Sequence, residues 1–184
     1  MQLTRRIAKE ITTHEGVVLE AYKDSKDVWT WGIGITNASG HEVYPRYLDK
    51  PQTLQKVVEI YIWLLRVRYI PDVEHAFDGH NLTEAQFGAA LSFHFNTGKI
   101  RSATWVDNWK SGDITAARRN FLAYRFPPGI RDRRKAEHDL FFDGIWSGTG
   151  RPTQWTVSKP SYKIDWSQGR RVDLNPFFDM LIPE

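Results

Sequence analysis

The stretch from Glu15 to Gly34 allows fewer folds than any other part of this chain. Just before it, Leu3, Ile7 and Ile11 recur every fourth residue, the stripe of an amphipathic helix from about Thr4 to His14. Within it, Ser25-Lys26-Asp27 reads as a polar turn, and Trp29, Trp31, Ile33 and Ile35 alternate along one strand face. The opposite face carries Thr30, Gly32, Gly34 and Thr36. Two glycines beside a threonine leave space that side chains would fill, either the floor of a cleft or the bulges of a twisted edge strand. The pattern predicts a helix running into a β-hairpin over residues 21–36.

Beyond the hairpin the periodicity is helical. Asp49-Lys50-Pro51-Gln52 has the chemistry of a helix start, and apolar residues on nearly every side from 51 to 69 predict a helix buried on more than one face. Such a helix suits a strut joining a small hairpin lobe to a helical lobe, an α+β architecture. Thr83-Glu84-Ala85-Gln86 is a capping box for a helix ending at Asn96-Thr97-Gly98. Shorter helices follow over 102–110 and after Asp113, and a last one runs from Ile130 to Phe142 with Gly144 as its stop. The expected division is a body over 1–150 and an extension over 151–184. The extension is polar and turn-rich yet keeps Trp155, Tyr162, Trp166, Phe177 and Phe178, more aromatics than disorder tolerates, so it is expected to pack back on the body.

Composition removes several classes. The chain has 184 residues, 41% hydrophobic and 26% charged, enough for a buried core. It has no cysteine, hence no disulfide framework and no thiolate metal site, which fits a reducing cytoplasm. Basic residues at the N-terminus have no apolar run behind them, so no signal peptide is expected, and the apolar stretch 57–65 is far shorter than a membrane span. The six histidines show no i, i+4 pair; Asp72, His75, Asp78 and His80 read as a polar loop, and no metal or cofactor is expected. Neither a Gly-x-Ser-x-Gly elbow nor a phosphate-binding loop is present. Net charge is +3, and seven basic residues stand against one acid between Arg118 and Lys135. A solvated helix face accounts for that patch on composition alone.

The hairpin region carries the chemistry. Glu15 falls four residues after Ile11, at the end of the apolar stripe, where partial desolvation would raise its pKa toward that of a general acid. Asp24 follows nine residues later and Thr30 six beyond that. Two carboxyls and a hydroxyl among aromatics are the groups glycosidic cleavage needs, and indole faces stack on pyranose rings.

These residues also carry a resemblance. Glu15, Asp24 and Thr30 sit in Glu-Gly-x-x-Leu-x-x-Tyr-x-Asp and Trp-Thr-x-Gly-x-Gly contexts, which resemble the phage-type lysozymes, or endolysins. Leu82 to Gly98 with its Phe95-Asn96-Thr97-Gly98 ending, Trp109 to Asp113, and Gly129-Ile130-Arg131-Asp132-Arg133-Arg134 up to Glu137 look like later parts of that family. The resemblance spans about residues 4–148. One departure is Ile35, where the family commonly has His.

The resemblance implies the two-lobed lysozyme fold and a muramidase that cleaves the β-1,4 bond between N-acetylmuramic acid and N-acetylglucosamine in bacterial peptidoglycan. It assigns Glu15 as general acid, Asp24 as stabiliser of oxocarbenium-like charge and Thr30 as holder of the water. Arg133, or second to it Arg134, would support the catalytic Glu. Trp31, Gly32, Gly34, Phe95 and Asn96 are the implied substrate contacts. The expected protein is a monomeric phage lysis enzyme. It would gather in the host cytoplasm and reach the wall through a membrane pore, with residues 116–135 meeting an anionic wall or outer membrane. Alternatives are a lytic transglycosylase on the same substrate, where Glu15 is both acid and base, and a non-catalytic wall-binding or virion protein. A nucleic-acid binder would need steep salt dependence and is not expected.

Overall fold

The computed structural model describes residues 1–183. In chain order its elements are α1 (Arg5–Thr13), β1 (Gly16–Lys23), β2 (Trp29–Gly32), β3 (Ile35–Thr36), α2 (Leu54–Leu64), α3 (Ile70–Ala76), α4 (Glu84–Thr97), α5 (Thr104–Lys110), α6 (Ile114–Leu122), α7 (Arg131–Asp143), β4 (Thr153–Ser158), β5 (Lys163–Arg171) and α8 (Asn175–Leu181). They fall into two compact units. One holds Leu3–Arg68 with Gly148–Glu184, the other Met1–Gln2 with Tyr69–Ser147.

The first unit is built on a five-stranded sheet in the order β3-β2-β1-β4-β5. The expected hairpin is there as β1 and β2, but the C-terminal extension widens it. β4 pairs parallel to β1, with Gly16 opposite Thr153 and Val18 opposite Trp155, and β5 pairs antiparallel to β4. α1 begins where Thr4 accepts from the Ile7 amide at 3.2 Å, and its stripe of Ile7, Ala8 and Ile11 is fully buried. Val57, Val58, Tyr61 and Leu64 of α2 and Phe178 of α8 bury beside it in the same unit. Burying one such side chain is worth roughly 1.5–3 kcal/mol, so these few residues set the position of β1.

Two expectations change here. The strand predicted to run on through Ile35 turns back, because Gly32 (φ +63°) and Gly34 (φ +66°) adopt left-handed backbone conformations. β3 therefore pairs with β2, Trp31 facing Ile35. The helix predicted from 51 starts instead at Leu54, capped by Thr53, whose hydroxyl accepts from the Lys56 amide at 3.1 Å. Pro51-Gln52 stays outside it since the Gln52 amide donates to Leu19 of β1 at 2.8 Å. The helical backbone then continues through a π turn at Leu65–Tyr69 into α3, past the predicted end.

The second unit is helical. The capping box forms as expected: Gln86 N donates to Thr83 Oγ1 at 3.2 Å and Thr83 N to Gln86 Oε1 at 3.0 Å. Asp113 caps α6 by accepting from Ala116 at 2.9 Å, and Gly144 (φ +71°) ends α7. Trp105, Phe93, Phe121 and Phe141 interlock at its centre with ring centroids 4.6–6.2 Å apart.

Candidate active site

Glu15 stands at the joint between α1 and β1. α1 closes at Thr13, and the Glu15 amide donates to Thr12 at 3.1 Å, which keeps the chain wound up to the point where β1 begins. Its side chain is half-buried. One turn back, the fully buried Glu10 accepts from the Gly148 amide at 2.5 Å. A Cβ on Gly148 would lie 2.5 Å from the Glu10 backbone, so only glycine lets the chain pass there.

Asp24 organises the β1–β2 turn. Its Oδ1 accepts from the amides of Lys26 (2.8 Å) and Val28 (2.9 Å), an Asx-type arrangement that fixes the carboxylate; no hydrogen bond to Oδ2 is seen among the described residues. The extension holds this turn from outside. Lys163 Nζ donates to the Asp24 carbonyl at 2.8 Å and to Asp27 at 2.6 Å, and Lys23 N donates to Tyr162 O at 2.7 Å. Trp29 stacks on Tyr44 at 4.6 Å and meets Tyr162 edge-on at 5.4 Å.

Thr30, only 3% exposed, lies directly opposite Tyr22 in the β1–β2 register, so the two share a sheet face. Its hydroxyl donates to Val28 O at 3.0 Å, leaving its lone pairs to accept. Sequence reasoning gave Tyr22 no role, yet it ties the candidates together. Burial, then the charges of Glu15 and Asp24, push the Tyr22 phenol well above its ordinary pKa of 10.0. It is a neutral hydroxyl throughout the physiological range, within electrostatic reach of both carboxyls and across from Thr30.

Two proposed contacts are corrected. Trp31 is fully buried, with Nε1 donating to Leu19 O at 2.9 Å and its ring stacked on Tyr47 at 4.0 Å, so neither face is open to a sugar. Gly32 does not clear a cleft floor: its missing side chain is replaced by Val57 of α2, whose Cγ1 would lie 3.2 Å from a Cβ placed there. Gly34 is exposed at the following turn. Ile35 is 1% exposed, and its Cδ1 would lie 3.6 Å from the same Cβ, so it is a core residue.

The remaining candidates belong to the helical unit. Phe95 is half-buried, 5.0 Å from the Tyr69 ring, and Asn96 is exposed, accepting from Arg134 at 2.6 Å. Arg133 Nε donates to Glu137 at 2.8 Å, and its Nη2 reaches Ser92 O at 3.1 Å. Arg134 is fully buried. Its Nε donates to Tyr124 O at 2.9 Å, it pairs with Glu137, and its guanidinium lies 4.6 Å from the Phe93 ring centroid. Burial pulls the Arg134 pKa down, and Glu137 opposes that. Arg134, with Nε, Nη1 and Nη2 each donating, braces α7 against α4 and the α6 end. With both arginines turned inward, the basic stretch is not one cationic face; Arg119, Arg125, Arg131 and Lys135 are its exposed members.

Among the described residues, His138, Asp139 and Asp143 are close enough to share an ion. Asp139 is already paired with Lys135, and Arg118 holds Asp143 below the usual carboxylate range, so each carboxylate has a cation partner.

The α+β fold is lysozyme-like. An endolysin from Escherichia coli O157:H7 phage FAHEc1 aligns with a TM-score of 0.68 at 23% identity, over 80% of this chain and 97% of that one. A point mutant of P22 lysozyme gives 0.59 at 27%, over 77% and 98%. The muramidase domain of SpmX from Asticaccaulis excentricus gives 0.58 at 24%, over 77% and 97%. No curated protein sequence matches. The family profile described as phage lysozyme matches residues 12–137, most of the chain, and the protein belongs to that family. It is therefore a lysozyme-type glycosidase, of a family that acts on peptidoglycan.

Proposed function

We propose that the protein is a muramidase that hydrolyses the β-1,4 bond between N-acetylmuramic acid and N-acetylglucosamine, and that it serves as a phage endolysin in host lysis. Glu15 is the general acid that protonates the glycosidic oxygen. Asp24, its carboxylate fixed by two turn amides, stabilises the oxocarbenium-like charge and helps orient water, which Thr30 accepts through its free lone pairs. The observation that supports this reading is the hairpin register that sets Thr30 opposite the buried Tyr22, whose phenol the charges of Glu15 and Asp24 both push up.

Exposed Arg119, Arg125 and Arg131 supply a contact with an anionic wall, one that weakens with salt. No helix of the described residues is long and apolar enough to cross a membrane. In this reading the enzyme gathers in the host cytoplasm and reaches the wall through a pore supplied by another protein. The test is a zymogram on purified walls with wild type and Glu15→Gln. Removing a general acid costs roughly 10²–10⁴-fold. Equal clearing by both proteins overturns the assignment.

A further inference from the structure

We infer that the C-terminal extension adds a glycan-stacking subsite, with Trp166 as its platform and an N-acetylhexosamine ring of the peptidoglycan strand as its ligand. The inference rests on the muramidase reading for the identity of the strand. The extension lies outside the family match, which ends at residue 137, so the common catalytic body does not account for it.

The platform is built into the sheet. β4 and β5 pair regularly up to Thr156 opposite Asp165 and resume at Gln154 opposite Arg170. Four residues, Trp166 to Gly169, thus stand opposite the single Trp155. This wide bulge is ordered from within, because Asp165 Oδ1 accepts both the Ser167 amide (3.0 Å) and the Ser167 hydroxyl (2.6 Å). Glycine at 169 is required, since a Cβ would lie 2.4 Å from Cζ3 of Trp155. On the other side the Trp155 ring lies against Gly16, 3.2 Å from where a Cβ would be. Trp155 is thereby clasped between the bulge and the residue that follows Glu15.

Trp166 meets Trp155 at 5.0 Å with the planes at 70°, an edge contact that leaves indole surface open, and it is 69% exposed. Exposing an indole forfeits the apolar burial that a free choice of residue would gain. Here the exposed ring rests edge-on against Trp155 in a hydrogen-bonded bulge and is followed by the solvent-facing side chains of Ser167 and Gln168. An apolar face beside hydroxyl and amide groups matches a pyranose, whose C–H face stacks while its hydroxyls and acetamido group hydrogen-bond. Continuity supplies the occupant: the platform reaches through Trp155 to Gly16, next to the proposed acid. A strand cleaved at Glu15 then extends past Gly16 and Trp155 onto the extension.

The test uses the full chain carrying Glu15→Gln, so that glycan survives titration. Binding of solubilised, un-cross-linked glycan strands and of the single disaccharide is followed by calorimetry, with and without Trp166→Ala, and with Trp166→Tyr as the conservative variant. Thermal unfolding checks that each variant is folded. Expected is a loss of about fivefold to tenfold in affinity for long strands with alanine, recovery with tyrosine, and no change for the disaccharide. In otherwise wild-type protein, Trp166→Ala raises KM on long strands at unchanged kcat. Equal affinity of the alanine variant for long strands overturns the subsite, as does an equal loss for the disaccharide. Turnover by Glu15→Gln itself would overturn the catalytic assignment instead, and the two failures are read separately.

Discussion

Glu137 is the acid at the centre of the helical unit's buried charge network. It is fully buried; one carboxylate oxygen accepts from Ser92 (2.6 Å) and Arg133 (2.8 Å), and the other pairs with Arg134, also fully buried. Glu137→Ala leaves the fully buried Arg134 guanidinium without this counter-charge, removes a carboxylate partner from Arg133, and takes away the acceptor of the Ser92 hydroxyl. Removing one member of a buried ion pair costs about 3–5 kcal/mol, because the surviving charge stays desolvated. For a chain of this size each kcal/mol moves Tm by roughly 2–4 °C, so the expected fall is about 6–20 °C. Calorimetry and denaturant titration of Glu137→Ala provide the measurement, with Asp143→Ala as comparison. The Arg118–Asp143 pair is largely exposed, and its loss should cost at most about 1 kcal/mol. The Ser92→Ala and Glu137→Ala costs should also fail to add, since both remove the same hydrogen bond. If Glu137→Ala costs no more than Asp143→Ala, the reading of this network as the brace of α7 is wrong.

Two further outcomes follow from the sheet unit. Tyr22 has a phenol pKa raised above 10.0 in the fold, so its stabilising contribution is complete below pH 10 and is lost as pH rises beyond it, where the unfolded chain ionises first. Tyr22→Phe should flatten the alkaline decline by up to about 1.4 kcal/mol per pH unit in denaturant titrations, and an unchanged slope would contradict the burial argument. Lys163→Ala removes the clamp on the Asp24 turn; hydrogen exchange at the Lys26 and Val28 amides should quicken and kcat should fall, while the melting temperature barely moves. Exchange at the wild-type rate would mean that the turn holds itself.

Local signals in the sequence matched local structure. The Leu3-Ile7-Ile11 stripe, the Thr83–Gln86 box, Asp113 and Gly144 each bound an element within a residue or so, because each acts on neighbours one turn away. The spacing of Glu15, Asp24 and Thr30 was also legible, since all three lie on one helix end and one hairpin. Interactions between distant residues were not. Asp49 looked like a helix cap, but its carboxylate is taken by Tyr162 and Lys159, and its φ of +53° is outside the helix. The strands of the extension were hidden because Trp166 to Arg171 are all exposed, so no alternation marks β5, and β4 finds its partner more than a hundred residues back in the chain. Trp31 sat on the strand face that periodicity predicted, yet only the packing of Tyr47 and α2 shows that this face is core.

The most direct measurement is mass spectrometry of the muropeptides released from purified peptidoglycan by wild type and by Glu15→Gln. Wild type should release products ending in reducing N-acetylmuramic acid, and Glu15→Gln should release almost nothing while melting as wild type does. Anhydro-muramic ends would contradict hydrolysis with Asp24 and Thr30 in their proposed roles. Equal release by the variant would contradict Glu15 as the acid.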